Sequence, residues 1–491
     1  MTWKETAEPV LTRMPTVRRP DGHVPFRRKI GWTAGVLVLY FFLSDVFLYG
    51  LGTGSQDAFG AFRSILAGGQ GTVLQLGIGP IVTASIVLQL LNGADLLGLD
   101  TSNPRDQQLY QGLQKLLVVV MICLTGLPMV FAGGFLPADP RVAAQLGIGL
   151  NGVRWLMFAQ IFVGALLVLL MDEVISKWGV GSGISLFIVA GVSQRLIGGL
   201  FAAPTFGNSN AGILATWFGV VMGDVQMASP LTPEGLQDLL LGPGMVLPVL
   251  TTLLIFGIVV YAESVRVEIP LSHSRVKGAR GRFPVKLIYA SVLPLLLVRA
   301  LQANVQFLGR ILYNQWQGMP AWLGQYSAGG GIAQPIGGLF YYLDPIQAPT
   351  QWMWWAAGTT AAPWQIMIRV GIDLLFMIGG GAVFAVFWVE TADMGPEATA
   401  QQILRSGMQI PGFRQNASVM EKVLARYIPQ ITVIGGMLVG LLAVLANMLG
   451  TIGGVSGTSL LLTVSITYKL YEEIAEEQLM ELHPMMRQMF G

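Results

Sequence analysis

Long apolar runs recur along the chain, separated by short stretches dense in glycine, proline and charge. Ten of these runs predict helices: Ile30–Tyr49, Gly77–Leu91, Leu113–Gly133, Val153–Met171, Gly183–Leu200, Met245–Tyr261, Val285–Leu308, Ile366–Val389, Ile431–Leu449 and Gly457–Tyr471. A bilayer core of about 30 Å needs about 20 apolar residues at about 1.5 Å per residue. The second and tenth runs fall short of that, and glycine-rich breakers, GIG and GTIGG, mark their starts. Gln56–Gly71, QDAFGAFRSILAGGQG, is half apolar and too short to cross at all. Its pattern predicts a segment that neither spans the bilayer nor leaves it.

The polar stretches are of two kinds. Seven basic residues precede the first run: Lys4, Arg13, Arg18, Arg19, Arg27, Arg28 and Lys29. More lie between and beside runs six and seven (Arg266, Arg275, Lys277, Arg280, Arg282, Lys286), and between eight and nine (Arg405, Arg414, Lys422, Arg426). Residues 201–245 and 311–361 contain no lysine or arginine. The positive-inside rule therefore predicts both termini in the cytoplasm and those two loops outside. Ten spans with an inside start divide into five that end outside and five that begin there. Structural repeats of that kind would be inverted, with a functional path at their interface. The predicted divisions are a cytoplasmic segment 1–29, a first half 30–200, an external loop 201–244, a second half 245–471 with cytoplasmic loops 262–284 and 390–429, and a cytoplasmic tail 472–491.

Within those loops, VRVEI alternates like a strand before the chain turns through Pro270 and GARG. In Ser418–Pro429, Ser418 and Glu421 have the spacing of a capping box on a short helix. Arg414 sits in a glycine-containing turn that presents its side chain. Several arginines at a loop tip suit contact with phosphate, although a topology signal with lipid headgroup contact is the plainer reading. The aromatic, glycine-rich 311–361 loop is expected to lie over the membrane surface.

Composition supports a polytopic membrane protein: 53% of residues are hydrophobic and 11% charged, against about 25% charged in soluble domains. The N-terminal thirty residues lack the h-region of a cleavable signal peptide. A single cysteine, Cys123, excludes an intrachain disulfide. All three histidines lie outside the runs, and no HExxH, Walker A or Cys/His metal spacing occurs, so neither a cofactor nor an enzymatic activity is expected. The candidates for buried ionisable residues inside the runs are Asp45, Arg299, Arg369 and Asp373, the last two spaced to pair with each other. That is poor equipment for an ion pump. The runs do carry apolar pairs beside small or helix-breaking residues. Ile78 and Val82 share one face, Ile184 and Ile188 another, Leu296 follows Pro294, and Leu462 lies in TSLLLTVS. Each by itself reads as core or lipid packing. Together they suit a path closed by apolar side chains, which resists water and ions by dewetting.

The stretches FRRKIGWTAGVLVLYFF, LGIGPIVTASIVLQLLNG, LYQGLQKLL, LLMDEVISKWGVGSGISLFIVAGVSQ, YAESVRVEIPLSHSRVKGARGRFPVKLIY, FWVETADMGPE and LLLTVSITYKLYEE resemble the SecY family in its archaeal form. The resemblance spans the chain apart from the outer loops. It implies an all-α polytopic protein of ten transmembrane helices in two inverted five-helix halves, working as the large subunit of a protein-conducting channel. It implies a pore ring at Ile78, Val82, Ile184, Ile188, Leu296 and Leu462. Leu296 and Leu462 take that role from the resemblance. It implies a short re-entrant plug helix at Asp57, Ala58, Phe59, Gly60, Ala61, Phe62, Arg63, Ser64, Ile65 and Leu66, with Arg63 facing water or a polar partner. A re-entrant helix is tolerated where protein and cavity water surround it. The resemblance further implies a lateral gate with Gln114 on the third helix and Gln302 and Asn304 on the seventh. It implies ribosome contact through Arg275, Lys277, Arg280 and Arg414. The implied partners are SecE-like and Secβ-type small subunits, the ribosome, a nascent polypeptide with a signal sequence, and membrane lipid. Two other readings remain at this point: a small-solute secondary transporter with inverted repeats, and an insertase or scaffold without a continuous pore.

Overall fold

The computed structural model describes residues 8–9, 11, 13–20, 22, 24–55, 62–93, 96–99, 103–132, 135–202, 212–224, 228, 232–242, 244–273, 280–287, 293–316, 318–327, 334–355, 361–392, 394–405, 408–409 and 417–482. Helices dominate it. Ten overlap the ten apolar runs: α1 Phe26–Ser44, α3 Gly79–Gly93, α4 Pro104–Phe131, α6 Gly149–Trp178, α7 Gly183–Phe201, α10 Val246–Ser264, α11 Leu293–Gln315, α13 Pro363–Thr391, α15 Ala417–Leu449 and α16 Gly457–Leu482. Among the described residues, seven stretches are long and apolar enough to cross a membrane, one within each of α4, α6, α7, α10, α11 and α15 and one starting at α13. The short α3 is apolar but has only 15 residues. Smaller helices lie between these: α2 Arg63–Leu66, α5 Pro140–Leu146, α8 Ile213–Met222, α9 Pro233–Leu240, α12 Leu339–Tyr342 and α14 Pro396–Arg405.

Several boundaries differ from the expected ones, each for a local reason. The first helix stops at Ser44, and Asp45 forms its C-cap. VRVEI is a strand, but the chain does not turn at Pro270. β1 (Arg266–His273) continues through it and pairs antiparallel with β2 (Arg280–Lys286), Pro270 lying opposite Arg282. Proline is tolerated at a free strand edge. On the other side of β1, among the described residues, β5 (Met408–Gln409) pairs with Ser272 and His273. Val285 and Lys286 therefore belong to the hairpin, and the seventh long helix begins at Leu293. Ser418–Pro429 is no separate short helix but the first third of α15, which carries Pro429 in its interior. A second small sheet, β3 (Gln325–Ser327) with β4 (Gln334–Gly337), lies in the long aromatic loop.

The long helices pack first within two groups. α1, α3, α4, α6 and α7 contact one another, as do α10, α11, α13, α15 and α16. The groups meet chiefly where α7 packs on α16 and where α3 packs on α11 and α13. One large apolar core runs through both groups and across those seams. The residues around 11–20 form a strap over one end. Leu11 is buried with Leu99 and Leu109. The Val17 amide donates to Glu173 at 3.1 Å, and Lys115 bridges the Pro15 carbonyl and Glu173.

Candidate functional site: an apolar constriction under a buried plug helix

Four local devices place the six apolar candidates. At α3, Gly77 takes a left-handed φ of +53°, and a Cβ there would collide with the Leu66 carbonyl oxygen. That close approach lets the Ile78 amide donate to the same oxygen at 2.8 Å. At α7, the Asp172 carboxylate on α6 accepts from the Ile184 amide at 2.9 Å, satisfying one of the free N–H groups at the helix start. At α16, the Asn447 side chain on α15 accepts from the Gly457 amide at 2.5 Å. At α11, the first turn carries Pro294 where no intrahelical donor is needed. Ile78, Val82, Ile188, Leu296 and Leu462 are all buried, and half-buried Ile184 packs against them. The four helices thus deliver all six to one apolar core.

α2 packs into that core. Of the ten expected plug residues, Asp57–Ala61 lie outside the described residues. Phe62 and the four residues of α2 are buried. Arg63 is buried too, with only 5% of its surface exposed, instead of facing open water. α2 packs on α7 and α16. Its attachments include the Ser64 and Ser459 hydroxyls at 2.8 Å, the Tyr40 hydroxyl donating to the Ala67 carbonyl at 2.9 Å, and the Leu66 carbonyl bond to Ile78. Between α2, α3 and α11 remains a void of about 10 Å³, lined by Leu66, Gly79, Thr83, Ala303 and Asn304 among others. That is at the lower limit for a single water.

The seam between α3 and α11 carries a polar contact: Asn304 donates to the Thr83 hydroxyl at 3.1 Å. Gln114 is on the near side, donating to Ser85 at 2.9 Å and so joining α4 to α3. Gln302 does not reach α3. It faces the interior of the second group, accepting from Arg299 at 2.6 Å and donating to the Leu343 carbonyl at 3.0 Å.

Gln302 belongs to a buried ionic cluster that sequence spacing misassigns. Arg369 and Asp373 do not pair. Arg369 binds Asp344 at 2.7 Å, and Asp373 lies 3.3 Å from Arg299, whose Nε also donates to Thr458 on α16. The cluster ties α11, α13, α16 and the segment after α12 together. Burial pushes the Asp344 carboxyl up from the usual carboxylate range, and the Arg369 guanidinium pulls it back. Nothing in the local sequence signals these partners.

Of the four expected loop contacts, Arg280 opens β2, while Arg275, Lys277 and Arg414 lie outside the described residues. The base of the hairpin is fixed: Arg266 and Lys286 both pair with Glu472 on α16. On the side of the N-terminal strap, a cavity of about 560 Å³ opens between Arg19, Ile81, Gln114, Lys115 and Asp172. No cluster able to hold a metal occurs among the described residues.

Comparison with known proteins decides the family. The family description SecY matches residues 72–471, and the description "Plug domain of Sec61p" matches residues 38–71. The chain belongs to the SecY family. Curated relatives named protein translocase subunit SecY are 73% identical in Haloarcula marismortui, covering all of both chains, and 48% identical in Archaeoglobus fulgidus, covering 99% of this chain and 98% of the relative. A solved structure titled "The structure of a protein conducting channel" matches at 36% identity and a TM-score of 0.78, covering 97% of this chain and 98% of the other. Sec61 in a canine ribosome–channel complex matches at 34% identity and 0.75, with the same coverage. The chain is thus a multi-pass membrane protein of mainly helical, protein-conducting-channel fold.

Proposed function

We propose that this chain is the central, pore-forming subunit of a protein-translocation channel, passing secretory polypeptides across the membrane and releasing transmembrane segments sideways into lipid. One observation carries the reading. Six apolar side chains from four helices of both groups belong to one apolar core, and the short buried helix α2 packs into that same core. Such a closure blocks ions without binding them and yields to a large flexible chain.

The opening steps follow from the weak contacts. Asn304 and Thr83 form a polar tie across the α3–α11 seam, worth about 1 kcal/mol or less. An apolar signal segment entering the seam replaces that tie with its own burial. The seam lies between α3 and α4 on one side and α11 and α13 on the other; Gln114 and Asn304 set its polarity, while Gln302 is turned into the second group. Displacing Asp57–Leu66 then clears Ile78, Val82, Ile184, Ile188, Leu296 and Leu462, around which polar chain threads. The two helix groups act as inverted halves of five spans with the path between them. The driving force comes from a partner, and the chain itself carries out no covalent step.

The relative found in a ribosome–channel complex supports a ribosome as one partner, with Arg275, Lys277, Arg280 and Arg414 as its contacts. SecE-like and Secβ-type single-span subunits complete the assembly, which sits in the plasma membrane with both termini in the cytoplasm. Planar-bilayer recording of the reconstituted complex tests the reading. Removing residues 57–66 is expected to raise resting ion conductance over a silent parent. A silent deletion would point to a scaffold without a pore. Substrate-dependent small-solute flux abolished by Asp373→Asn would point to a transporter.

A further inference from the structure

The segment between α7 and α10 contains no lysine or arginine, and by charge alone it is an external loop in water. α8 does not fit that setting. Its ten residues, ILATWFGVVM, hold no charge. The side chains it exposes are Leu214, Trp217, Phe218, Val221 and Met222, at spacings of three and four residues, so its outward stripe is wholly apolar. A helix in water turns its apolar stripe inward, and this one turns it out.

The polar atoms of α8 fit the same picture. Its one hydroxyl, on Thr216, donates back to the Gly212 carbonyl at 3.1 Å. Its indole N–H, on Trp217, donates to the Gly244 carbonyl at 2.6 Å, in the turn just before α10. No side-chain polar group on the helix asks for water. That is the condition a lipid-exposed surface must meet. The exposed stripe also continues an existing apolar face. α8 packs on α7, whose outer end exposes Ile197 and Phe201. The chain returns to that end at once, Gly212 donating to the Ala202 carbonyl at 2.8 Å. After the helix, Gly223 at φ +86° and the exposed Asp224 turn the chain back to a polar setting.

We infer that α8 is embedded in the outer leaflet of the bilayer, its Leu214–Trp217–Phe218–Val221 stripe against acyl chains, as a lipid anchor for the connection between the two helix groups. Ten helical residues reach about 15 Å, roughly one leaflet of the core. With Trp217 fixed to Gly244, the anchor holds the start of α10 beside the end of α7.

Site-directed spin labelling of the complete complex in native membrane vesicles tests this. Cys123 is replaced by serine, and single cysteines are introduced as Phe218→Cys and Val221→Cys, with Leu253→Cys on α10 as the lipid reference and Asp224→Cys as the water reference. Oxygen is expected to relax the labels at 218 and 221 more than a water-soluble nickel chelate does, as at 253 and opposite to 224. Nickel dominating at 218 and 221 would overturn the inference in favour of a water-exposed loop. Labels there immobilised and shielded from both reagents would overturn it in favour of a protein partner. In either case a lipid signal at 253 leaves the channel reading standing.

Discussion

Arg299 makes the heaviest demand of any single side chain. Its side chain is 2% exposed, and its stability rests on Asp373, Gln302 and Thr458. Removing one partner of a buried pair leaves an uncompensated charge, at a cost of about 3–5 kcal/mol. Asp373→Asn is therefore expected to lower the denaturation midpoint of the detergent-solubilised complex sharply, and Arg299→Met with Asp373→Leu to restore most of it. Equal loss in the single and double variants would contradict the assignment. Spacing suggested an Arg369–Asp373 pair, because residues four apart face each other on an isolated helix. The folded chain instead supplies Asp344 and Arg299 from distant segments, at separations no local pattern encodes. Gly77 is the opposite case. GIG reads as a breaker, and only the structure shows that the Leu66 carbonyl occupies the place of a Cβ. Gly77→Ala is expected to unseat α2 and raise resting conductance in bilayer recordings. An unchanged, silent channel would mean that α2 is held elsewhere.

Among the elements, the long apolar helices and the VRVEI strand were legible, because length and alternation are local properties. The proposed pore positions are half readable from sequence. Ile78 with Val82 and Ile184 with Ile188 stand out by spacing, whereas Leu296 and Leu462 sit in apolar runs like any other and came from family resemblance. Pro270 misled because the strand continues past it through tertiary pairing with β2, which local sequence does not encode. α8 was overlooked because ten residues are too few to read as a span. The seam between α3 and α11 is the element-scale test of gating. Asn304→Ala or Thr83→Ala removes a tie of about 1 kcal/mol or less, an up to roughly fivefold shift toward opening. Export of a reporter with a weakened signal sequence is expected to rise by up to that factor. Unchanged export would remove this contact from the gate.

At the scale of the molecule, packing within two groups and contact along two seams allow parting without unfolding either group. The Arg299–Asp373–Thr458 cluster ties α11 to α13 and α16, so those helices are expected to move together. The β1–β2 hairpin stands on α16 through the Arg266 and Lys286 pairs with Glu472, so force on the hairpin reaches a helix carrying Leu462. Charge reversal by Arg280→Glu with Arg414→Glu is expected to weaken ribosome association in vesicle flotation while leaving assembly intact. Flotation equal to the parent would place the contact elsewhere. The central claim is that polypeptide passes the Ile184 position. Its direct measurement is a crosslink: Cys123→Ser with Ile184→Cys, a stalled secretory nascent chain, and a thiol-reactive probe on that chain. The account predicts an adduct that forms only when the signal sequence is functional. A channel shown to be engaged by a second probe, with Ile184→Cys never reacting, would contradict it.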